Sequence, residues 1–353
     1  MMNILWLKQD HPELALAEAL ALMNGTVVER AGDVVIIDGN PARWERLGLT
    51  RAVDTLLFKC NPSELNSALD AADWNMIITG TFKVAIHHTN QRPKPIADLI
   101  WHKLEKRAID LRKPDTIIDV FFTDGLAFCG KRLWTNTEKF EERRPHQFLA
   151  RHPSGMHPKI ARAIINLTGV TGAGRWDVGG RNSDVDGAKL IDPFCGAGGF
   201  LIEAKRMGLR AEGSDIDDGQ VKRANINLAP FGLTATRRDA LTLTEPIDYL
   251  ASDLPYGRNT KTTDTDALYR AFLILLGKLL RKKAVLVFPD FADHTKLVVG
   301  SGLRVVATYP IYVHKSLTRN VVVVEKVAGK ANLSESEIEA FAVKLGKKTT
   351  GRR

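Results

Sequence analysis

The sequence predicts a two-part chain: an α+β N-terminal region, then an α/β domain with helices wound over a largely parallel sheet. Three observations carry this. Beyond about Arg144, short apolar strands alternate with helical segments, the pattern of repeated β-α-β units. A glycine-rich turn, Gly196-Ala197-Gly198-Gly199, joins the first of these strands to its helix. Before Arg144 the strands come in hairpin-like groups instead, and Asp124-Gly125 is the strongest turn signal.

In order, the N-terminal region reads as strand 3–7, helix 11–24, strands 27–29 and 33–37, and helix 41–47. Strand 54–59, helix 63–72, strands 76–79 and 82–87, and helix 96–107 follow, before a hairpin of strands 116–123 and 126–133. Pro145, Pro153 and Pro158 mark a linker, and helix 159–167 leads to a polar, glycine-rich insert at 169–187. Then come strand 189–192, helix 200–207, strand 210–215, helix 218–228 and a strand at 249–252. A basic tail ends in Arg352-Arg353.

A chain of 353 residues exceeds one compact core, so two or three domains are expected. A formal charge of +9 suits a polyanionic partner, although charge alone is weak support. Cys60, Cys129 and Cys195 are odd in number and lack C-x-x-C spacing, which argues against a disulfide framework or a zinc site. The apolar stretch 14–23 has Asp10, Glu13 and Glu18 in or beside it, and so reads as an amphipathic helix rather than a secretion signal. No apolar run is long enough to cross a bilayer. The expectation is a soluble, cytoplasmic, metal-free monomer, with a small activating protein partner left open.

Asp192-Pro193-Phe194-Cys195-Gly196-Ala197-Gly198 ends a strand and opens a helix, where glycines let a ligand approach the backbone. The bland alternative is a tight strand-to-helix turn. Asp215, at the end of the next strand, is placed for two ribose hydroxyls. That would serve a nicotinamide dinucleotide or S-adenosylmethionine. Leu201 stands where a dinucleotide fingerprint has its third glycine, and Asp192 would repel a pyrophosphate but suit an ammonium and a sulfonium. Asp239 follows a third strand and can face an adenine amino group. Each aspartate alone could be a helix cap; three at successive strand ends favour S-adenosylmethionine.

The fourth strand runs into Asp253-Leu254-Pro255-Tyr256-Gly257. An exocyclic amino nitrogen is a poor nucleophile, because its lone pair is delocalised into the base ring. Two acceptors for its N–H bonds help it pyramidalise: the Asp253 carboxylate and a backbone carbonyl, read here as that of Leu254. Pro255 stiffens the turn, and Tyr256 offers a flat face to an extruded base. The chemistry is positioning plus charge stabilisation.

On these residues, with Met156-His157-Pro158-Lys159 and the stretch Val313-His314-Lys315-Ser316-Leu317-Thr318-Arg319, the chain resembles the THUMP-domain tRNA guanine-N2 methyltransferases, in particular the archaeal type acting on tRNA guanine 10. The resemblance implies a seven-stranded, Rossmann-like class I methyltransferase sheet ending in an antiparallel pair at 303–313 and 321–326. It implies a ferredoxin-like domain at 1–50, a THUMP domain at 51–145, a linker at 146–158, the methyltransferase domain at 159–330 and a tail at 331–353. Met156 and Pro158 would close over the methionine end of the cofactor. Asp192, Pro193, Gly196 and Gly198 would line it, Asp215 would bind its ribose and Asp239 its adenine. Leu254 stands where the family usually has a proline; the carbonyl is kept.

A tRNA partner has its own support in residues 83–113, with eight basic against three acidic residues. Lys83, Arg92, Lys94, Lys103, Arg107, Arg143 and Arg144 are the candidate phosphate contacts. The bland alternative is a solvated basic face. The competing functions are an amino methyltransferase with another RNA guanine or adenine N6 as target, a catalytically silent RNA-binding protein and, more distantly, a nicotinamide oxidoreductase.

Overall fold

Runs of Val and Ile punctuated by turn residues build two seven-stranded sheets, one in each of two units that divide between Glu138 and Lys139. The computed structural model describes residues 1–40, 43–151, 155–170, 188–257, 265–314 and 317–327. Pro153, Lys315, Ser316, most of the glycine-rich insert and the basic tail lie outside the described residues. No helix among the described residues is long and apolar enough to cross a membrane.

The first unit runs β1 (Met2–Leu7), α1 (Pro12–Leu22), β2 (Asn24–Ala31), β3 (Val34–Asn40), β4 (Thr50–Cys60), α2 (Leu65–Ala71), α3 (Trp74–Ile77), β5 (Phe82–His87), α4 (Lys94–Lys103), β6 (Thr116–Thr123) and β7 (Leu126–Thr135). Its strand order is β2-β3-β1-β4-β7-β6-β5, antiparallel except for the β5–β6 pair. β4 crosses residue 50, where the sequence places a domain division, and pairs with β1 on one side and β7 on the other. The β6–β7 hairpin turns at Asp124-Gly125, both at positive φ, as a two-residue turn matched to strand twist requires.

Two expected elements differ. Residues 76–79 read as a strand, but the chain forms the short helix α3. Asp73 caps it by accepting from the Met76 N–H, and buried Trp74 donates its indole N–H to the Leu69 carbonyl at 2.7 Å. Instead of the helix expected at 41–47, the described part holds one 3-10 turn, Trp44–Arg46. The loop beyond it is pinned by the Glu18 carboxylate, which accepts from the Gly48 and Leu49 N–H groups at 2.7 and 2.8 Å.

The second unit runs α5 (Pro158–Leu167), β8 (Lys189–Asp192), α6 (Gly199–Arg206), β9 (Arg210–Asp215), α7 (Asp218–Leu228), β10 (Ala235–Arg237), β11 (Ile247–Asp253), α8 (Thr265–Leu279), β12 (Leu280–Pro289), α9 (His294–Val298), β13 (Leu303–His314) and β14 (Leu317–Lys326). The order is β10-β9-β8-β11-β12-β14-β13. The first five strands are parallel, while β14 is antiparallel to both neighbours. This is the expected Rossmann-like sheet with its antiparallel pair. β12 is fully buried from Ala284 to Phe288, as a strand covered on both faces must be, and Leu286 and Phe288 pack with Tyr269, Phe272 and Leu276 of α8. Strand order reverses between β8 and β11. At such a switch point the crevice beyond the strands' carboxyl ends receives ligands.

Candidate active site

Both strands at the switch point end in an aspartate: Asp192 on β8 and Asp253 on β11. Asp192 is wholly buried. Its Oδ1 accepts from the Ser252 hydroxyl at 2.6 Å and from the Phe194 N–H at 3.3 Å, while its Oδ2 has no hydrogen-bond partner among the described residues. Burial pushes its carboxyl up to about 7, with Asp215 and Asp253 adding to the rise and the Ser252 bond opposing it. A buried carboxylate with an open oxygen fits a cationic ligand group, which would repay its desolvation.

The turn after Asp192 has Gly196 and Gly198 at positive φ, and a Cβ added at Gly196 would point into open space. That leaves the backbone approachable. Asp215 binds this loop directly: its Oδ2 accepts from the Gly196 N–H and its Oδ1 from the Asp217 N–H, both at 3.0 Å. Burial raises the Asp215 carboxyl, against those same bonds. Asp239 caps a 3-10 turn beyond β10 through the Leu241 N–H at 2.9 Å, so its capping role is realised. Pro193 is buried in the turn, and Pro158 is the first residue of α5, where a missing N–H costs nothing. These residues together could hold an elongated cofactor with a cationic end.

Asp253 keeps 21% of its side-chain exposure, enough to be reached. Its Oδ1 accepts from the Tyr256 hydroxyl at 2.6 Å, and its Oδ2 lies 3.7 Å from Arg319 Nη2. Desolvation raises its carboxyl, while Arg319 and the Tyr256 bond hold it down. Burial and Asp253 push the Tyr256 phenol well up, so it stays a donor. The Arg319 guanidinium also sits 5.6 Å from the Tyr256 ring centroid and contacts Met156 Sδ at 3.5 Å. Met156 therefore belongs beside the Asp253 cluster.

The backbone of the tetrapeptide is equally specific. The Leu254 side chain is buried and its N–H donates to the Val287 carbonyl at 3.0 Å. The Pro255 carbonyl accepts from the Tyr269 hydroxyl at 2.5 Å. No hydrogen bond among the described residues engages the Leu254 carbonyl.

Sequence reasoning assigned no role to Ser252, Tyr269 or Arg319. Arg319 had a readable signal, an arginine opening the apolar run Val321-Val322-Val323-Val324. Of the candidate phosphate contacts, Arg143 needs correction. Its guanidinium is largely buried and bonds Glu203 at 2.7 Å, a carboxylate shared with buried Arg162, so it holds α6 to the chain before α5. Arg144 is half-exposed and pairs with Glu141 at 2.7 Å. In the first unit Arg92 and Arg107 are exposed, Lys83 is half-buried, and Lys94 and Lys103 pair with Asp98 and Asp70, each at 2.6 Å.

The family model of the RMKL-like methyltransferase domain matches residues 145–320. A tRNA (guanine(10)-N2)-dimethyltransferase of Pyrococcus abyssi is 32% identical over 346 residues, spanning 89% of this chain and 96% of the relative. The chain belongs to the tRNA (guanine(10)-N2)-dimethyltransferase family. A second member, from Methanothermobacter thermautotrophicus, is 29% identical across 91% of this chain and 98% of its own length. The crystal structure of TrmN from Thermus thermophilus superimposes with a TM-score of 0.49 at 18% identity, covering 93% of this chain and 100% of that one. Asp192 and Asp253 end the paired neighbouring strands β8 and β11.

Proposed function

We propose that this chain methylates the exocyclic N2 amino group of a guanine in tRNA, at position 10, using S-adenosylmethionine and adding one or two methyl groups. The observation that carries this reading is Asp253: an arginine-paired carboxylate at the switch point, next to a backbone carbonyl that has no hydrogen-bond partner among the described residues. The names of the relatives supply the nucleotide position.

When bound, S-adenosylmethionine supplies an electrophilic methyl group. Asp192 receives its ammonium, Asp215 its ribose hydroxyls and Asp239 its adenine amino group, while Pro193, Gly196 and Gly198 shape the cradle. Met156 and Pro158 close the methionine end. Asp253 and the Leu254 carbonyl accept the two N–H bonds of the target amine, drawing its lone pair out of conjugation and towards the methyl. As the nitrogen takes the methyl and the carbon–sulfur bond breaks to release S-adenosylhomocysteine, the nitrogen becomes cationic. The Asp253 charge stabilises it, and its carboxylate takes the proton that the nitrogen then gives up. Arg319 keeps that carboxylate ionised. Tyr256 donates to Asp253 without a base present, and its ring lies against the entering guanine.

In the first unit Lys83, Arg92, Lys94, Lys103 and Arg107 contact phosphates and set the register of the tRNA. Residues 1–50 and 51–145 act as ferredoxin-like and THUMP parts that grip the tRNA. The protein works as a cytoplasmic monomer.

The test is methyl transfer from labelled S-adenosylmethionine to unmodified tRNA transcripts, followed by nucleoside analysis. N2-methylguanosine or N2,N2-dimethylguanosine that disappears when guanine 10 is replaced is the expected result. N6-methyladenosine, or N2-methylation that survives the replacement, would move the target. No transfer by a protein that binds the cofactor calls for retesting with a small activating protein.

A further inference from the structure

β12 carries a proline where a central strand can rarely hold one. Pro289 is its last residue, buried and paired with Arg319 of β14. On the other side β11 ends at Asp253, opposite Val287, and its chain continues into the tetrapeptide. A proline removes a ladder donor, so prolines in sheets collect on edges and at bulges.

The register shows which acceptor loses its donor. Asp253 lies opposite Val287, and the Leu254 N–H donates to the Val287 carbonyl. In a parallel ladder each residue bonds two positions of its neighbour that are two apart. The next rung would run from the N–H of residue 289 to the Leu254 carbonyl. Pro289 has no N–H, so that rung is missing. The loss is one-sided: on the other edge Pro289 stays in register with Arg319, and the Asp290 N–H donates to the Thr318 carbonyl at 3.0 Å. The proline therefore does more than end the strand. It opens the ladder only towards β11, at the carbonyl beside Asp253, while Tyr269 closes the next carbonyl, that of Pro255.

We propose that Pro289 is a positioning residue that keeps the Leu254 carbonyl available to the target amino group. This rests on the reading of the site as an amino methyltransferase. An amide at 289 would hold that carbonyl in the plane of the sheet and share its charge.

The experiment is Pro289→Ala, which restores the amide. Competition from one backbone hydrogen bond predicts a fall in kcat of about tenfold. S-adenosylmethionine affinity, KM for tRNA and Tm stay near the parent values. The new amide is protected from hydrogen exchange in the free enzyme and loses protection when tRNA and S-adenosylhomocysteine are bound together. Pro289→Gly carries the same amide if the first variant folds poorly. Unchanged kcat with a protected amide, an unprotected amide, or collapse of both variants would each overturn the proposal. A parent enzyme that makes no N2-methylguanosine would instead sink the functional reading, before Pro289 is tested at all.

Discussion

Both units bury aspartates beside an arginine, and they do so in different places on their sheets. In the first unit Asp54 of β4 and Asp119 of β6 flank Arg132 of β7, all within the body of neighbouring strands. Arg132 lies 3.7 Å from Asp54, and Asp119 also takes His87 at 2.6 Å. Asp54 and Asp119 are almost completely shut from solvent. In the second unit Asp253 is the last residue of its strand and stays partly open, with Arg319 reaching it from two strands away. A buried acid paired with a base marks a packing solution as readily as an active site. Position decides: one cluster sits mid-sheet with its charges facing each other, the other at a strand end where a ligand can arrive.

The sharpest test of that contrast is Asp253→Ala. Removing the acceptor that stabilises the developing charge should lower kcat by about a thousandfold. S-adenosylmethionine affinity should stay within a factor of two, because the side chain acts on the base. Near-normal turnover would end the proposed mechanism.

A smaller effect falls on the cofactor side. Asp192→Asn should weaken S-adenosylmethionine binding by roughly ten- to a hundredfold, the worth of a hydrogen bond to a charged group. The pH dependence is more diagnostic. Burial holds the Asp192 carboxyl near 7, so it is largely protonated below that pH and a cationic ligand must displace the proton. Affinity in the parent should therefore fall as pH drops below about 7. Calorimetry in buffers of different ionisation heat should show a proton released on binding at pH 6, and the Asn variant should show neither effect.

Much of this was legible in the sequence, for identifiable reasons. Asp192 and the tetrapeptide at Asp253 stood out because each closes a mainly apolar strand at its carboxyl end, which is where an α/β sheet places ligands. Asp215, by contrast, ends the polar strand β9, and Asp239 lies just beyond β10. The Phe82–His87 and Thr116–Thr123 strands were readable to the residue, since their apolar runs end in turn signals. α3 was hidden because Met76, Ile77 and Ile78 look β-like; its helical form comes from the Asp73 cap and from the pocket that takes Trp74, both local contacts that periodicity cannot see. Arg143 passed for a phosphate contact because Glu203, its partner, lies 60 residues away. Ser252, Tyr269 and Arg319 were given no role because their partners lie on other elements: Ser252 meets Asp192 across the β8–β11 pair, Arg319 meets Asp253 from β14, and Tyr269 reaches the Pro255 carbonyl from α8.

Arg319 gives a test of intermediate size. Its charge opposes the rise that burial imposes on Asp253. In Arg319→Met the Asp253 carboxyl should rise further, moving the acid limb of the kcat/KM profile to higher pH by about one unit. Arg319→Lys should restore part of the shift, because the charge returns without the planar fork. Loss of rate at all pH values with no displaced limb would give Arg319 a packing role alone.

The smallest expected effect is on the other side of the comparison. Burial, and then the charge of Asp119, hold the Asp54 carboxyl well above its ordinary range, with Arg132 only partly opposing them. The folded protein therefore keeps a proton that the unfolded chain gives up near pH 4. Above that pH the unfolded state binds fewer protons, so stability declines as pH rises towards the folded value. Asp54→Asn removes the titrating group but keeps its shape, and should flatten this decline, raising stability at pH 8 by about 1 kcal/mol. Thermal melting across pH 4 to 9 reads the slope, and methyl transfer should be unchanged. A variant with parental stability but lost turnover would place the first unit's acid cluster in the reaction and erase the distinction between mid-sheet and strand-end acids.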